Sequence, residues 1–255
     1  MLNNKPLIVS YGGGVNSTAM LFGFLEKAIM PDLILFADTG CENNETLDYV
    51  AGFSTWIQKC GMPQITTVRY DTGPNETLEM ECLVNGTLPS LAFGFKGCSV
   101  KWKRAPMDKA VKRFTSDPCV RAIGIHAGES HRGKIPNTEQ FEFWFPLIAW
   151  NWWQRDCEAI IVRHGHPVPR KSACWCCPAM RKAEVRKQAK KRPDLHARCV
   201  AMEQNARDNG GLKTIKGLGR HWSWEAIAQA DENQFKLFAD NSTESPCGCW
   251  DGDCH

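Results

Sequence analysis

The stretch that decides the fold is Leu7-Ile8-Val9-Ser10-Tyr11-Gly12-Gly13-Gly14-Val15-Asn16-Ser17-Thr18. Leu7 to Ser10 is an apolar run of strand length, and from Ser17 to about Ala28 apolar residues recur at helical spacing. Between them, three consecutive glycines let backbone N–H groups point into a concavity with no Cβ in the way. Ser17 and Thr18 fall at the helix start, where unpaired N–H groups and the positive dipole end favour phosphate. The spacing is not that of a Walker loop, because no Lys-Ser/Thr pair follows, nor of G-x-G-x-x-G, because residue 17 is Ser. A plain strand-to-helix turn capped by Ser17 is the competing reading.

The alternation continues outward from this turn. Leu33 to Ala37 reads as a second strand ending at Asp38, and Glu45 to Cys60 as a helix turning Leu47, Val50, Trp56 and Ile57 inward. Ile65 to Tyr70 and Val120 to Ile125 read as a third and a fourth strand. Strands alternating with helices imply a doubly wound, Rossmann-like parallel α/β sheet. Ligands in such sheets sit beyond the carboxyl ends of the strands, here Ser10, Asp38 and Ile125. The character changes after about Trp150. Residues 1–178 are expected to form a nucleotide-binding domain, and 179–255 a helical, basic, cysteine-containing extension of it.

Composition bounds the answer. The 255 residues carry a net charge of +3, with 43% hydrophobic and 23% charged residues. This is globular composition and excludes disorder and collagen-like repetition. A near-neutral balance excludes a polycation, so any nucleic-acid contact must come from a local patch. The 13 cysteines are odd in number, so they cannot all pair within the chain. No secretory signal opens the sequence, and no apolar stretch approaches the roughly 20 residues of a membrane helix. A cytoplasmic location without membrane contact is therefore expected, where clustered cysteines bind metal or do chemistry more often than they form disulfides.

The glycine turn resembles the pyrophosphate-binding loop of the PP-loop (adenine nucleotide alpha-hydrolase-like) superfamily. The usual pattern there is Ser-Gly-Gly-x-Asp-Ser; here Gly12 replaces the first Ser and Asn16 the Asp. Three further segments resemble the phosphoadenosine-phosphosulfate (PAPS) reductase branch in the same order. They are Phe36-Ala37-Asp38-Thr39-Gly40 with Glu45-Thr46, then Gly124 to Arg132 containing Gly128-Glu129-Ser130, and Phe145 to Trp150. The resemblance implies that Ser10, Gly12, Gly13, Gly14, Asn16, Ser17 and Thr18 bind the phosphates of ATP or PAPS. Asp38, Thr39, Gly40, Gly128, Glu129 and Ser130 would complete the nucleotide site. Arg132 would clamp a phosphate or sulfate bidentately, oriented by Glu129. Asn16 is a poorer Mg²⁺ ligand than a carboxylate, so Mg²⁺ use is left open.

Cys98 and the run Cys174-Trp175-Cys176-Cys177-Pro178 resemble the iron–sulfur ligand segments of the same reductases, except that Gly97 stands where one cysteine is expected. Cys98, Cys174 and Cys177 would give three thiolates, with Cys176, Cys199 or an exchangeable ligand as the fourth. Zinc accepts the same soft ligands and is the alternative, and buried free thiols are the blandest reading. The tail Asp253-Cys254-His255 resembles the reductases' terminal Glu-Cys-Gly-x-His, which implies a catalytic Cys254. His164 and His166 are weighed as metal ligands against loop residues. Residues 181–192 hold seven cations and one acid, either a solvated face or a track for RNA or DNA. His221, Trp222 and Trp224 would stack on bases in that case.

Two chemistries fit. In one, a thiol reductant and Cys254 release sulfite from a sulfonucleotide. In the other, ATP adenylates an acceptor and a sulfur donor displaces AMP. A non-catalytic nucleotide- or nucleic-acid-binding module with structural zinc is the alternative from another class.

Overall fold

Leu7–Tyr11 forms β1, buried at all five positions. It is hydrogen-bonded on one side to β2 (Leu33–Asp38) and on the other to β4 (Cys119–Ile123). The edges are β3 (Ile65–Arg69) and β5 (Phe141–Trp144), giving the order β3-β2-β1-β4-β5 with every pair parallel. The structure is a computed structural model and describes residues 5–71, 73, 76–89 and 97–227. The expected Rossmann-like parallel α/β sheet is present. A central strand covered on both faces reads as a continuous apolar run, which is why Leu7 to Val9 shows no alternation. The chain leaves β1 for β2 on one side and returns to β4 on the other. The carboxyl end of β1, where the glycines sit, is therefore the switch point of the sheet.

The described helices are α1 (Val15–Glu26), α2 (Asn44–Lys59), α3 (Leu78–Val84), α4 (Ala105–Phe114), α5 (Pro146–Ala149), α6 (Gln154–Arg163), α7 (Lys182–Lys191) and α8 (Pro193–Asp208). Two local expectations need revision. The first helix begins at Val15, not Ser17, with Gly14 as its N-cap. The fifth strand, Phe-Glu-Phe-Trp, was not anticipated: four residues inside an aromatic run are too few to show a period of two.

The residues divide into two compact units. The first comprises residues up to 38, 42–70 and 101–172, and contains the sheet. Its core centres on β1 and α1, with Phe22 and Phe24 on α1 fully buried. Helix α1 is buried from Ser17 to Phe24, so its apolar stripe is wide and its sequence reads apolar nearly all round. The second unit comprises 39–41, 71–100 and residues from 173 on. There α8 packs against α7 and α3. The fully buried Glu203 carboxylate accepts the backbone N–H of Leu218 at 2.7 Å and of Trp224 at 3.0 Å, tying the segment after α8 back onto that helix. Burial pushes its carboxyl upward, opposed by those donors. His196 stacks on Trp224, and neither ring nitrogen has a hydrogen-bond partner among the described residues.

Burial, which disfavours the imidazolium, holds His126, His166 and His196 below the usual value of 6.5. The unfolded chain then binds more protons than the native one below 6.5, so this stability is complete above that pH and is lost as pH falls through the native values. The thermal midpoint is expected to drop between about pH 7.5 and about pH 5.5, and less steeply in His196→Leu, as followed by circular dichroism. Equal slopes in the two proteins would contradict this assignment for His196.

Candidate functional site

The turn after β1 has a specific hydrogen-bond economy. The Gly12 N–H donates to Ser17 Oγ at 3.2 Å, and that hydroxyl donates to the Gly14 carbonyl at 3.1 Å. Ser17 thus braces the loop from inside. Thr18 is fully buried and its hydroxyl is spent on Tyr11 Oη at 3.0 Å, so its side chain faces the core. The amides of Gly13, Gly14, Val15, Asn16 and Ser17 find no acceptor among the described residues. The helix start has no side-chain cap, and no acidic residue lies in its first turn. Asn16 Oδ1 is buried and also lacks a partner. Five amides without acceptors among the described residues thus lie at the positive end of a 12-residue helix, the kind of position where oriented donors favour an anion.

Glycine is required at two positions here. Gly13 has φ +71°, a left-handed conformation, and a Cβ there would lie 3.0 Å from methyls of Thr46 and Val50. Gly124, just past β4, lets two backbones touch: its Cβ would lie 2.8 Å from both N and Cα of Ser17. The carboxyl end of β4 and the first turn of α1 are thereby held together.

The remaining expected nucleotide residues of the first unit are engaged internally. Ser10 is buried and its Oγ accepts from Arg121 Nε at 2.9 Å, while Arg121 also pairs with Asp108. Asp38, 3% exposed, accepts from Arg69 Nε at 3.0 Å and pairs with its NH2 group at 2.5 Å. In the 3-10 stretch Ala127–Gly133, the Arg132 guanidinium donates to Glu129 Oε2 at 2.7 Å. His126 Nδ1 accepts the Gly128 N–H at 3.1 Å, and its Nε2 lies 3.6 Å from the same Glu129 oxygen. Glu129 therefore holds Arg132 within the same short segment. Ser130 is exposed. His164 and His166 are ring-packed: His164 stacks on Phe22 at 4.6 Å, and His166 meets Trp56 edge-on at 4.3 Å. Both are aromatic anchors here.

The second unit gathers thiols. None of the ten described cysteines is in a disulfide, and seven of them belong to this unit: Cys41, Cys82, Cys98, Cys174, Cys176, Cys177 and Cys199. Thr39 Oγ1 lies 3.2 Å from Cys174 Sγ and accepts the Cys41 N–H at 3.2 Å. The Trp175 N–H donates to the Cys41 carbonyl at 2.9 Å, and Cys199 donates to the Trp175 carbonyl at 3.6 Å. The neighbouring Cys41 thiol, then burial, pushes Cys176 well above the ordinary thiol range. Burial pushes Cys82 up to about 12 and Cys199 further. Gly40, at φ +72°, packs on Thr77 within the same unit. Cys41 was not foreseen, because a lone cysteine after Gly40 carries no signal until the turn folds onto the later cysteines.

Soft, reduced sulfur donors suit iron–sulfur or zinc in kind. Among the described residues no three His, Cys, Asp or Glu side chains come together as a metal-binding group. Cys254, with the rest of the tail, lies outside the described residues. Lys182, Lys187, Lys190 and Lys191 of the basic stretch are exposed on or beside α7, which turns Val185 and Gln188 inward. Lys182 lies over the Trp222 ring at 6.0 Å, whereas Trp224 is fully buried and is core. No described helix is long and apolar enough to cross a membrane.

No family model matches the chain. An uncharacterized protein of Methanocaldococcus jannaschii, MJ0066, is 26% identical over 238 residues, which is 87% of this chain and 46% of that protein. The chain thus spans less than half the length of that relative. Among solved structures, a match to the U34-tRNA thiolase NcsA from Methanococcus maripaludis with its 4Fe-4S cluster covers 94% of this chain and 85% of that one, at 14% identity and a TM-score of 0.47. Neither likeness assigns an activity to this chain.

The contact at Gly124 is directly testable. Gly124→Ala forces a methyl against backbone that has no rotamer to yield, and is expected to cost about 1–3 kcal/mol of stability in chemical denaturation. An unchanged midpoint would show that the end of β4 does not abut α1.

Proposed function

We propose that this chain is a PP-loop enzyme that holds the phosphates of an adenine nucleotide on its glycine turn and couples that nucleotide to sulfur chemistry. The observation that carries the reading is the set of unspent amides from Gly13 to Ser17 at the sheet's switch point. Oxyanions bind at such positions because the donors are already oriented and no internal acceptor competes. The sulfur side rests on the seven reduced cysteines gathered in the second unit.

Of the two chemistries, adenylation-linked sulfur transfer is the form we favour. An oxygen of the acceptor attacks the α-phosphorus of ATP and pyrophosphate leaves; the terminal sulfur of a persulfide donor then displaces AMP, and a second thiol cleaves the resulting disulfide, leaving the sulfur on the acceptor and the donor in a new disulfide. The specific support is the exposed row of cations on α7, which suits a polyanionic acceptor such as RNA or DNA. Within this reading Arg132, released from Glu129, clamps a phosphoryl group, and Asn16 Oδ1 accepts a hydroxyl or a hydrated Mg²⁺. Bound iron–sulfur or zinc would supply thiolate-ligated metal, and no step is assigned to it.

Titration calorimetry with ATP and with PAPS, followed by product analysis, tests the proposal. ATP is expected to bind, and pyrophosphate to appear only when an acceptor RNA or DNA is present. Sulfite released from PAPS, and lost in Cys254→Ser, would replace transfer by reduction. Nucleotide or nucleic-acid binding without either product, in a protein with stoichiometric zinc, would make this a binding module.

A further inference from the structure

A cavity of about 140 Å³ opens beside the glycine turn, within the first unit. It is lined by Gly13, by Glu45, Thr46 and Tyr49 of α2, and by Val168, Pro169 and Arg170. The last three belong to a strap, residues 164–172, that leads away from α6. The strap is pinned at both ends. His166 sits among Phe22, Phe53 and Trp56, with ring centroids 4.3 to 5.7 Å away, and His164 bonds Glu26 at 3.1 Å. At the other end Ser172 presses on the turn, since a Cβ on Gly14 would stand 2.8 Å from its Oγ. Pro167 and Pro169 stiffen the span between these anchors. Arg170 is thereby held at the cavity mouth, 3.6 Å from Glu45 across it.

The polar groups around this cavity are unbalanced. The Gly13 amide has no acceptor among the described residues. Tyr49 Oη is buried without a hydrogen-bond partner, its neighbour Thr18 being committed to Tyr11, and burial pushes its phenol up to about 12, so it keeps its proton. Two donors without acceptors and a guanidinium surround a space large enough for several waters or one tetrahedral oxyanion. Glu45 opposes this, but its pair with Arg170 is solvent-exposed, and such pairs are worth about 0–1 kcal/mol, so exchange costs little.

We infer that this cavity binds a terminal phosphoryl or sulfuryl oxyanion of the nucleotide, and that Arg170, exchanging Glu45 for that oxyanion, makes the chain select polyanionic over neutral adenine ligands. Tyr49 donates the second side-chain hydrogen bond. The inference rests on the nucleotide reading above and assigns roles to residues that the glycine motif itself does not include. Arg170 supplies the positive charge that a Walker loop would place on its lysine.

The test is calorimetric titration of the full chain and of Arg170→Met, Tyr49→Phe and Glu45→Gln with ATP, PAPS and adenosine. One charge-assisted hydrogen bond corresponds to about tenfold or more, so Arg170→Met is expected to weaken the polyanionic ligand by that factor and adenosine by less than about twofold. Tyr49→Phe should weaken the same ligand, and Glu45→Gln should tighten it. Whichever of ATP and PAPS loses affinity identifies the oxyanion as phosphoryl or sulfuryl. Wild-type protein that binds ATP or PAPS, with Arg170→Met binding it equally well, overturns the inference and leaves the nucleotide reading standing. Equal losses for adenosine and the polyanion would assign the strap to shape rather than charge and also overturn it. Wild-type protein that binds none of the three would remove the nucleotide reading itself.

Discussion

A helix that begins immediately after a buried strand leaves its first amides without carbonyls to bond, and here nothing internal takes their place. Gly14 caps α1 with no side chain, Ser17 spends its hydroxyl on Gly12 and Gly14, and Thr18 turns into the core. The open amides persist because the surroundings hold the turn in shape. Gly13 occupies a left-handed conformation against α2, and Gly124 brings the end of β4 against the backbone of Ser17. Buried donors left without acceptors cost about 1–3 kcal/mol each, so a fold that keeps several at its switch point has them facing solvent or a ligand.

The neighbouring charged groups are held by hydrogen bonds and ion pairs of their own. Arg121 is buried and joins Ser10 of β1 to the partly exposed Asp108, and Asp38 accepts from its register partner Arg69. Arg132 pairs with a carboxylate three residues away on the same short segment, Glu129, which lies 3.6 Å from His126 Nε2. In the second unit, burial pushes the Cys82, Cys176 and Cys199 thiols upward, and the Cys199 thiol donates to the Trp175 carbonyl.

Legibility in the sequence followed the range of the interactions. The parallel sheet, its central strand and the glycine turn were readable because each is written in contiguous residues. β5 was not, because its pairing with β4 is decided by register, Cys119 opposite Phe141, and not by any local period. The start of α1 was misplaced by two residues because a Gly N-cap has no side-chain signature. Cys41, Tyr49 and Arg170 escaped notice for a common reason. Each gains its role only from residues far along the chain: Cys41 from the turn at Trp175, Tyr49 from the cavity it lines with residues 168–170, Arg170 from a strap held by His164 and His166.

The most direct measurement is hydrogen exchange at the amides of Gly13 to Ser17, read at residue level with and without saturating ATP. The account predicts fast exchange in the free protein and marked slowing at these five positions on nucleotide binding, with the buried amides of β1 slow throughout. Amides already protected without ligand, or equally fast with and without it, would contradict the claim that this turn is an open cradle for phosphate.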